Sequence, residues 1–135
     1  MSKGKTKAAP KSTAAVSSIS IPAIAKGEVL AGIILEKGTP KHWLVLLPGE
    51  AENVTWAEAK AFAKKAGGEL PTRKEQSLLF ANAGEHFQQR WYWSGGQPAG
   101  VPGCAWNQNF SNGPQNWNHV SNHNRARAVR RVPIK

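Results

Sequence analysis

Residues 71–94 read PTRKEQSLLFANAGEHFQQRWYWS, and this run contains the change of pattern that sets the fold class. Thr72 and Glu75 have the spacing of a capping box, in which the threonine hydroxyl accepts the glutamate N–H and the carboxylate accepts the threonine N–H. Leu78 and Leu79 supply a buried stripe and Gly84 stops the pattern near Ala83, so a helix is predicted from Thr72 to about Ala83. Trp91-Tyr92-Trp93-Ser94 then has the aromatic, period-two character of a strand. Helix and strand therefore follow one another here without the repeated alternation of a parallel α/β fold.

The flanks extend this reading. Thr55-Trp56-Ala57-Glu58 repeats the capping box, Trp56, Ala59, Phe62, Ala63 and Ala66 recur at helical spacing, and Gly67-Gly68 ends that helix. Earlier, Glu28–Leu35 and Lys41–Leu47 are apolar runs around a short link, Glu36-Lys37-Gly38-Thr39-Pro40, and read as a hairpin closed by Pro48-Gly49. Later, residues 95–103 are rich in Gly and Pro and read as loop. Cys104 to Phe110 alternates as a strand, with Trp106, Gln108 and Phe110 on one side and Ala105, Asn107 and Asn109 on the other. Ser111-Asn112-Gly113-Pro114 reads as a turn, the stretch after it as polar loop, and Arg125 to Val132 as one last strand. The predicted class is α+β: an N-terminal β-hairpin, two short helices and a loop-rich antiparallel sheet.

The chain has 135 residues, enough for one self-sufficient core, and residues 21–135 are expected to form it. Residues 1–20 are mostly Lys, Ala, Ser and Thr and read as a disordered basic arm. The net charge of +10 is uneven: residues 1–27 and 86–135 contain basic groups and no acid, and all eight carboxylates fall between Glu28 and Glu85. Basic ends suit nucleic acid, an acidic protein face or anionic polysaccharide, and equally suit solubility. Residues 1–18 are the candidate contact for nucleic acid or a neighbouring subunit.

Cys104 is the one cysteine, so an internal disulfide is excluded, and a lone thiol suits a reducing compartment or a small buried site. No apolar run of signal-peptide or membrane-spanning length occurs, which points to cytoplasmic synthesis and no membrane span. Aspartate is absent altogether, so a calcium or magnesium site after Glu85 would need amide and backbone oxygens alone. No cofactor is expected.

Four pieces occur in a recognisable order: Gly68-Glu69-Leu70-Pro71-Thr72-Arg73-Lys74-Glu75-Gln76, Trp91-Tyr92-Trp93-Ser94, Ala105-Trp106-Asn107-Gln108-Asn109-Phe110, and Arg125 to Arg131. Over residues 27–132 the chain resembles the DUF1566 family, often encoded in phages and prophages and similar to the C-type-lectin-like fold of formylglycine-generating enzymes and retroelement variable proteins. The resemblance implies a scaffold whose terminal strands meet and whose polar loops form a recognition surface. It implies a virion- or tail-associated protein that binds a host-surface protein or glycan. The metal and cysteine chemistry of the formylglycine-type enzymes and the Glu-Pro-Asn and Trp-Asn-Asp motifs of calcium-dependent lectins have no counterpart in this sequence, so the expectation is a non-catalytic, calcium-independent binder.

The candidate ligand-binding residues are Asn107, Asn109, Asn112, Asn116, Trp117, Asn118, His119, Asn122, His123 and Asn124. Seven asparagines within residues 107–124 are too polar for a core. Exposed amides donate and accept, and an exposed Trp adds a rigid anchor. The competing reading is that asparagine builds turns. An asparagine cluster before a basic strand also resembles the diversified region of a retroelement variable protein. Trp91, Trp93, Trp106 and Phe110 read as core aromatics, since period-two aromatics on strands usually are. His119 and His123 have a zinc-compatible spacing, but the intervening Val-Ser-Asn lacks helical periodicity. Arg125, Arg127 and Arg131 fall on one side of the last strand, free to grip phosphates or to pair with the glutamates of the helices. The rival to receptor binding is a structural or decorating virion protein whose basic N-terminal arm binds nucleic acid or a neighbouring subunit, with other virion proteins or further copies of the chain as partners.

Overall fold

The computed structural model describes residues 20–135, and the basic arm proposed over residues 1–20 lies outside them but for Ser20. The hairpin is β1 (Val29–Glu36) and β2 (Thr39–Leu46). Its link is tighter than expected, because Lys37 and Gly38 both take positive φ (50° and 81°) and close the pair in two residues. The register shifts between Leu30 and Gly32. Gly32, at φ 141°, would place a Cβ 3.3 Å from Asn82 Nδ2 and 3.4 Å from Leu78 Cδ2, so glycine lets a helix approach this strand. Asn82 fastens that approach by donating to the Ala31 carbonyl at 2.6 Å.

Strand β3 (Ala51–Val54) leads into helix α1 (Trp56–Lys65), and α2 (Arg73–Ala83) continues into a 3₁₀ turn, Gly84–His86. Both capping boxes are complete on Thr55/Glu58 and Thr72/Glu75. Each is worth about 1 kcal/mol of helix stability. The remaining strands are β4 (Trp91–Trp93), β5 (Cys104–Asn109), β6 (Gln115–His119), β7 (Asn124–Ala126) and β8 (Val129–Pro133).

These strands form a three-stranded sheet in the order β1-β2-β8 and a five-stranded sheet in the order β3-β7-β4-β5-β6. The class is α+β. Pairing is antiparallel except between β4 and β7, which run parallel at Tyr92 and Arg125. The sequence reading differs at three points. The expected last strand is two, β7 and β8, lying in different sheets, with Arg127 and Ala128 turning the chain between them. Strand β3 has no counterpart in the sequence pattern, its four residues being too few and too polar to mark it. The polar stretch after Pro114 is an edge strand, β6, that completes a hairpin with β5.

The five-stranded sheet is covered on both faces. On one, Tyr92 and Phe110 join Leu79 and Ala83 of α2, Phe87, and Leu44 and Leu46 of β2. The Phe87 and Phe110 rings stack at 3.9 Å with Tyr92 edge-on to both. On the other face, Trp93 is wholly buried with Ala105 and Ala126 under Ala59 and Ala63 of α1. The small alanines let α1 lie close to the indole, whose N–H donates to the Val54 carbonyl at 2.8 Å.

Glu75 ties α2 to the three-stranded sheet, and glutamates outside the helices hold the remaining strand arginines. Glu75 is 1% exposed, and its carboxylate accepts from Arg131 Nε and Nη2 at 2.7 and 2.8 Å, from His42 Nε2 at 2.8 Å and from the Thr72 N–H at 2.9 Å. Burial pushes its carboxyl up, but the bonds from Arg131, Thr72 and His42 outweigh that, so it stays below the ordinary carboxylate value. Arg131 also pairs with Glu69, Arg125 with Glu50 and Arg130 with Glu28. Arg127 instead donates to the carbonyls of His86 and Leu47. Of the three arginines offered as a phosphate grip, two are held by carboxylates and the third by backbone.

Candidate ligand-binding site

The register of β5 and β6 decides where the candidate residues point. Asn107 pairs with Asn116 and Ala105 with Asn118, while Trp106 pairs with Trp117 and Cys104 with His119. Opposed residues share a face and successive residues alternate. Trp117 and His119 therefore lie with Trp106 on the α2 face, and Asn116 and Asn118 on the α1 face. The segment 107–124 is not a single contact surface.

Two of the ten are corrections outright. Asn107 is 2% exposed, because β5 is paired on both sides and Asn107 stands opposite the buried Trp93. Asn124 is 9% exposed on β7, between β3 and β4. The Oδ1 of Asn107 and the Nδ2 of Asn124 have no partner among the described residues, yet neither side chain faces solvent. Both sit where strands pair on either side, which sequence alone did not reveal.

For others, turn chemistry accounts for the amide. Asn109 Oδ1 accepts from the Ser111 N–H at 2.9 Å and its hydroxyl at 2.8 Å, and Asn112 Oδ1 accepts from the same hydroxyl. On β6, Asn116 Oδ1 accepts the Trp117 N–H at 2.8 Å, and the backbone N–H of Asn122 closes the following turn on the His119 carbonyl at 2.9 Å. Trp117 and Trp106 form a pair without mutual backbone bonds, since the Trp106 N–H and carbonyl serve Gly96 and Ser94. The Trp117 and His119 backbone thus faces the free edge of β6, where local bonds occupy part of it and blunt strand addition.

His119 Nδ1 accepts from the Ser121 N–H at 3.1 Å and lies 2.7 Å from its hydroxyl, so that nitrogen is committed to the turn. His123 is exposed beyond it. Among the described residues no group of three or more His, Cys, Asp or Glu is arranged to hold a metal.

Trp117 lies at the surface, as an anchor for a ligand requires. It is 42% exposed, and its ring meets Trp106 edge-to-face at 4.8 Å and 89°. Trp106 was read as core but is half-buried, with the Arg73 guanidinium 3.5 Å from its ring centroid. Arg73 Nε donates to Gln115 Oε1 at 3.0 Å, and Gln115 Nε2 returns to the Arg73 carbonyl at 2.9 Å and to Gln108 Oε1 at 3.1 Å. The first turn of α2 thus holds an aromatic shelf on the edge of the sheet. Cation–π stacking of this kind is worth about 1 kcal/mol at a partly exposed site.

Beside the shelf lies a cleft of about 420 Å³, lined by Lys60 and Lys64 of α1, Gly68, Glu69, Leu70, Thr72, Gly95-Gly96 and Arg131, with the Glu69 carboxylate paired to Arg131. Gly96 joins the two features: its carbonyl accepts the Trp106 N–H at 2.9 Å, and a Cβ there would lie 3.9 Å from the Trp106 ring. Sequence reading missed the cleft. The one available signal was the i, i+4 spacing of Lys60 and Lys64 on a capped helix.

No family model matches the chain, and no curated protein matches it. Among the described residues no helix is long and apolar enough to cross a membrane.

Proposed function

We propose that this protein is a non-catalytic binding module of C-type-lectin-like architecture that recognises a host-surface glycan or protein through the Trp106–Trp117 shelf, and that it is a phage- or prophage-encoded virion or tail component. The observation that carries the reading is an exposed Trp117 whose ring packs edge-to-face on Trp106. Its ring is braced by Trp106, which Arg73 and Gln115 fix from the helix side. An aromatic side chain ordered in advance loses little entropy on binding, which is what a recognition anchor requires. The lectin-like architecture is supported by the order of elements and by the last strand, β8, pairing with β2 of the opening hairpin.

The test uses labelled protein on a panel of immobilised glycans and on bacterial cell surfaces, with Trp117→Ala and Asn118→Ala as separate variants. Trp117→Ala is expected to lower binding at least about tenfold with little change in thermal unfolding. Asn118→Ala, on the opposite face of β6, is expected to have a small effect. Equal binding by wild type and Trp117→Ala removes the site.

A further inference from the structure

We infer that the ligand of this surface is an acidic saccharide, with a carboxylate- or sulfate-bearing unit seated between Lys60 and Lys64 in the cleft and an adjoining ring resting on the Trp106–Trp117 shelf. The inference deepens the binding role given to the shelf and rests on it.

Four observations carry it. The cleft's 420 Å³ falls in the range of small-ligand sites, and suits one or two sugar units better than a folded partner. Its cations are unequal: Arg131 is already held by Glu75 and Glu69, whereas no carboxylate of the described residues lies within ion-pair distance of Lys60 or Lys64. Lys60 is also positioned in advance, its Nζ 3.7 Å from the Trp56 ring centroid, and the Trp56 indole N–H is anchored on the Ser94 carbonyl at 2.8 Å. Finally, cleft and shelf adjoin at Gly96 and at the start of α2. Thr72 and Gly96 line the cleft, Arg73 follows Thr72 onto the Trp106 ring, and Gly96 abuts that ring.

The chemistry of the combined surface is selective. Ammonium groups attract any anion, and an aromatic face stacks on the C–H face of a sugar or on a base. The cleft offers its charge as two point cations one helical turn apart beside glycine backbone. Basic groups beside aromatic rings also attract a nucleic acid strand, and the DNA competitor below separates the two. One anionic group per sugar unit fits two lysines, and the neighbouring ring then reaches the shelf across Gly96.

The experiment measures binding of the full chain to oligogalacturonate, to dextran sulfate and to uncharged dextran at fixed ionic strength, with a DNA duplex as competitor. The variants are Lys60→Gln/Lys64→Gln and Trp117→Ala, each checked for unchanged thermal unfolding. The expected result is binding of one or both acidic polymers but not of dextran, weakened about tenfold by the lysine pair and by Trp117→Ala. Preference for oligogalacturonate assigns a carboxylate and preference for dextran sulfate assigns a sulfate. The inference is overturned if the lysine pair leaves acidic-polymer binding unchanged, if DNA competes as well as the saccharides, or if neither acidic polymer binds. Cell-surface binding that depends on Trp117 but not on the lysines would overturn the acidic-saccharide assignment while keeping the shelf.

Discussion

Glu75 of α2 and Arg131 of β8 are joined by two hydrogen bonds of 2.7 and 2.8 Å, and the glutamate is the N3 residue of the helix's own capping box. One carboxylate therefore both starts the helix and fastens it to the last strand.

Glu75→Gln keeps the shape but loses the charge that faces Arg131 and His42. Removing one member of a buried pair costs about 3–5 kcal/mol, and the lower end applies because Arg131 retains solvent contact. A fall in Tm of roughly 10 °C is expected by calorimetry or circular dichroism. A shift of less than about 2 °C would mean that the pair is not a structural fastener.

The same carboxyl sets an acid limit. Its folded pKa lies below the ordinary 4.5, so its contribution is fully present above 4.5 and is lost as pH falls through the lower folded value. Urea midpoints measured between pH 6 and pH 2 should drop in the acid range. The drop should be smaller in Glu75→Gln, which has nothing left to protonate there.

Tyr92 is the one tyrosine in the chain, so phenolate absorbance reports on it alone. Burial raises its pKa well above the ordinary 10.0, and its hydrogen bond to Glu50, at 2.6 Å, raises it further. A raised folded value contributes stability that is present below 10.0 and lost as pH rises towards the folded value. Spectrophotometric titration should show no phenolate at pH 10.5 in the native protein and immediate ionisation in guanidinium. Native titration with a midpoint near 10 would contradict this environment.

Two glycines should respond oppositely to alanine. A Cβ on Gly68 would fall 2.1 Å from the Val129 carbonyl oxygen, against the Glu69–Val129 bridge, so Gly68→Ala is expected to cost more than about 2 kcal/mol. Gly84 has ordinary helical angles (φ −57°, ψ −29°) and nothing within 4 Å, so Gly84→Ala should stabilise by about 0.4–1 kcal/mol. Chemical denaturation of both variants decides it.

Arg73→Ala should loosen the shelf without unfolding the domain. The expected loss is about 1–2 kcal/mol, with greater acrylamide quenching of tryptophan fluorescence. Trp117→Phe in the same background identifies the ring that has been freed: the added quenching should vanish if it belongs to Trp117.

Much of the scaffold was legible because it is written locally. Both helices announced themselves through Thr55/Glu58 and Thr72/Glu75, and the hairpin through two β-branched runs around Lys37-Gly38. What escaped depends on which strand each segment pairs with. Gln115–His119 is too polar to resemble a strand, and becomes one because β5 offers it an edge and Pro114 turns the chain back. The single strand expected over 125–132 divides because Arg125 belongs beside Tyr92 and Arg131 beside Leu44. The site suffered from the same limit. Composition marked 107–124 as polar, but alternation on β6 sends Trp117 and Asn118 to opposite faces, and the depth of Asn107 follows from Trp93 across the ladder.

The pairing of β8 with β2 bears on how the molecule comes to exist. Arg130 meets Glu28 from 102 residues further along the chain, and Arg131 neutralises a glutamate that no earlier guanidinium reaches. A nascent polypeptide truncated before Val129 holds an open β2 edge and a Glu75 carboxylate without its guanidinium partner. The β1-β2-β8 sheet is therefore completed only once these late residues have left the ribosome.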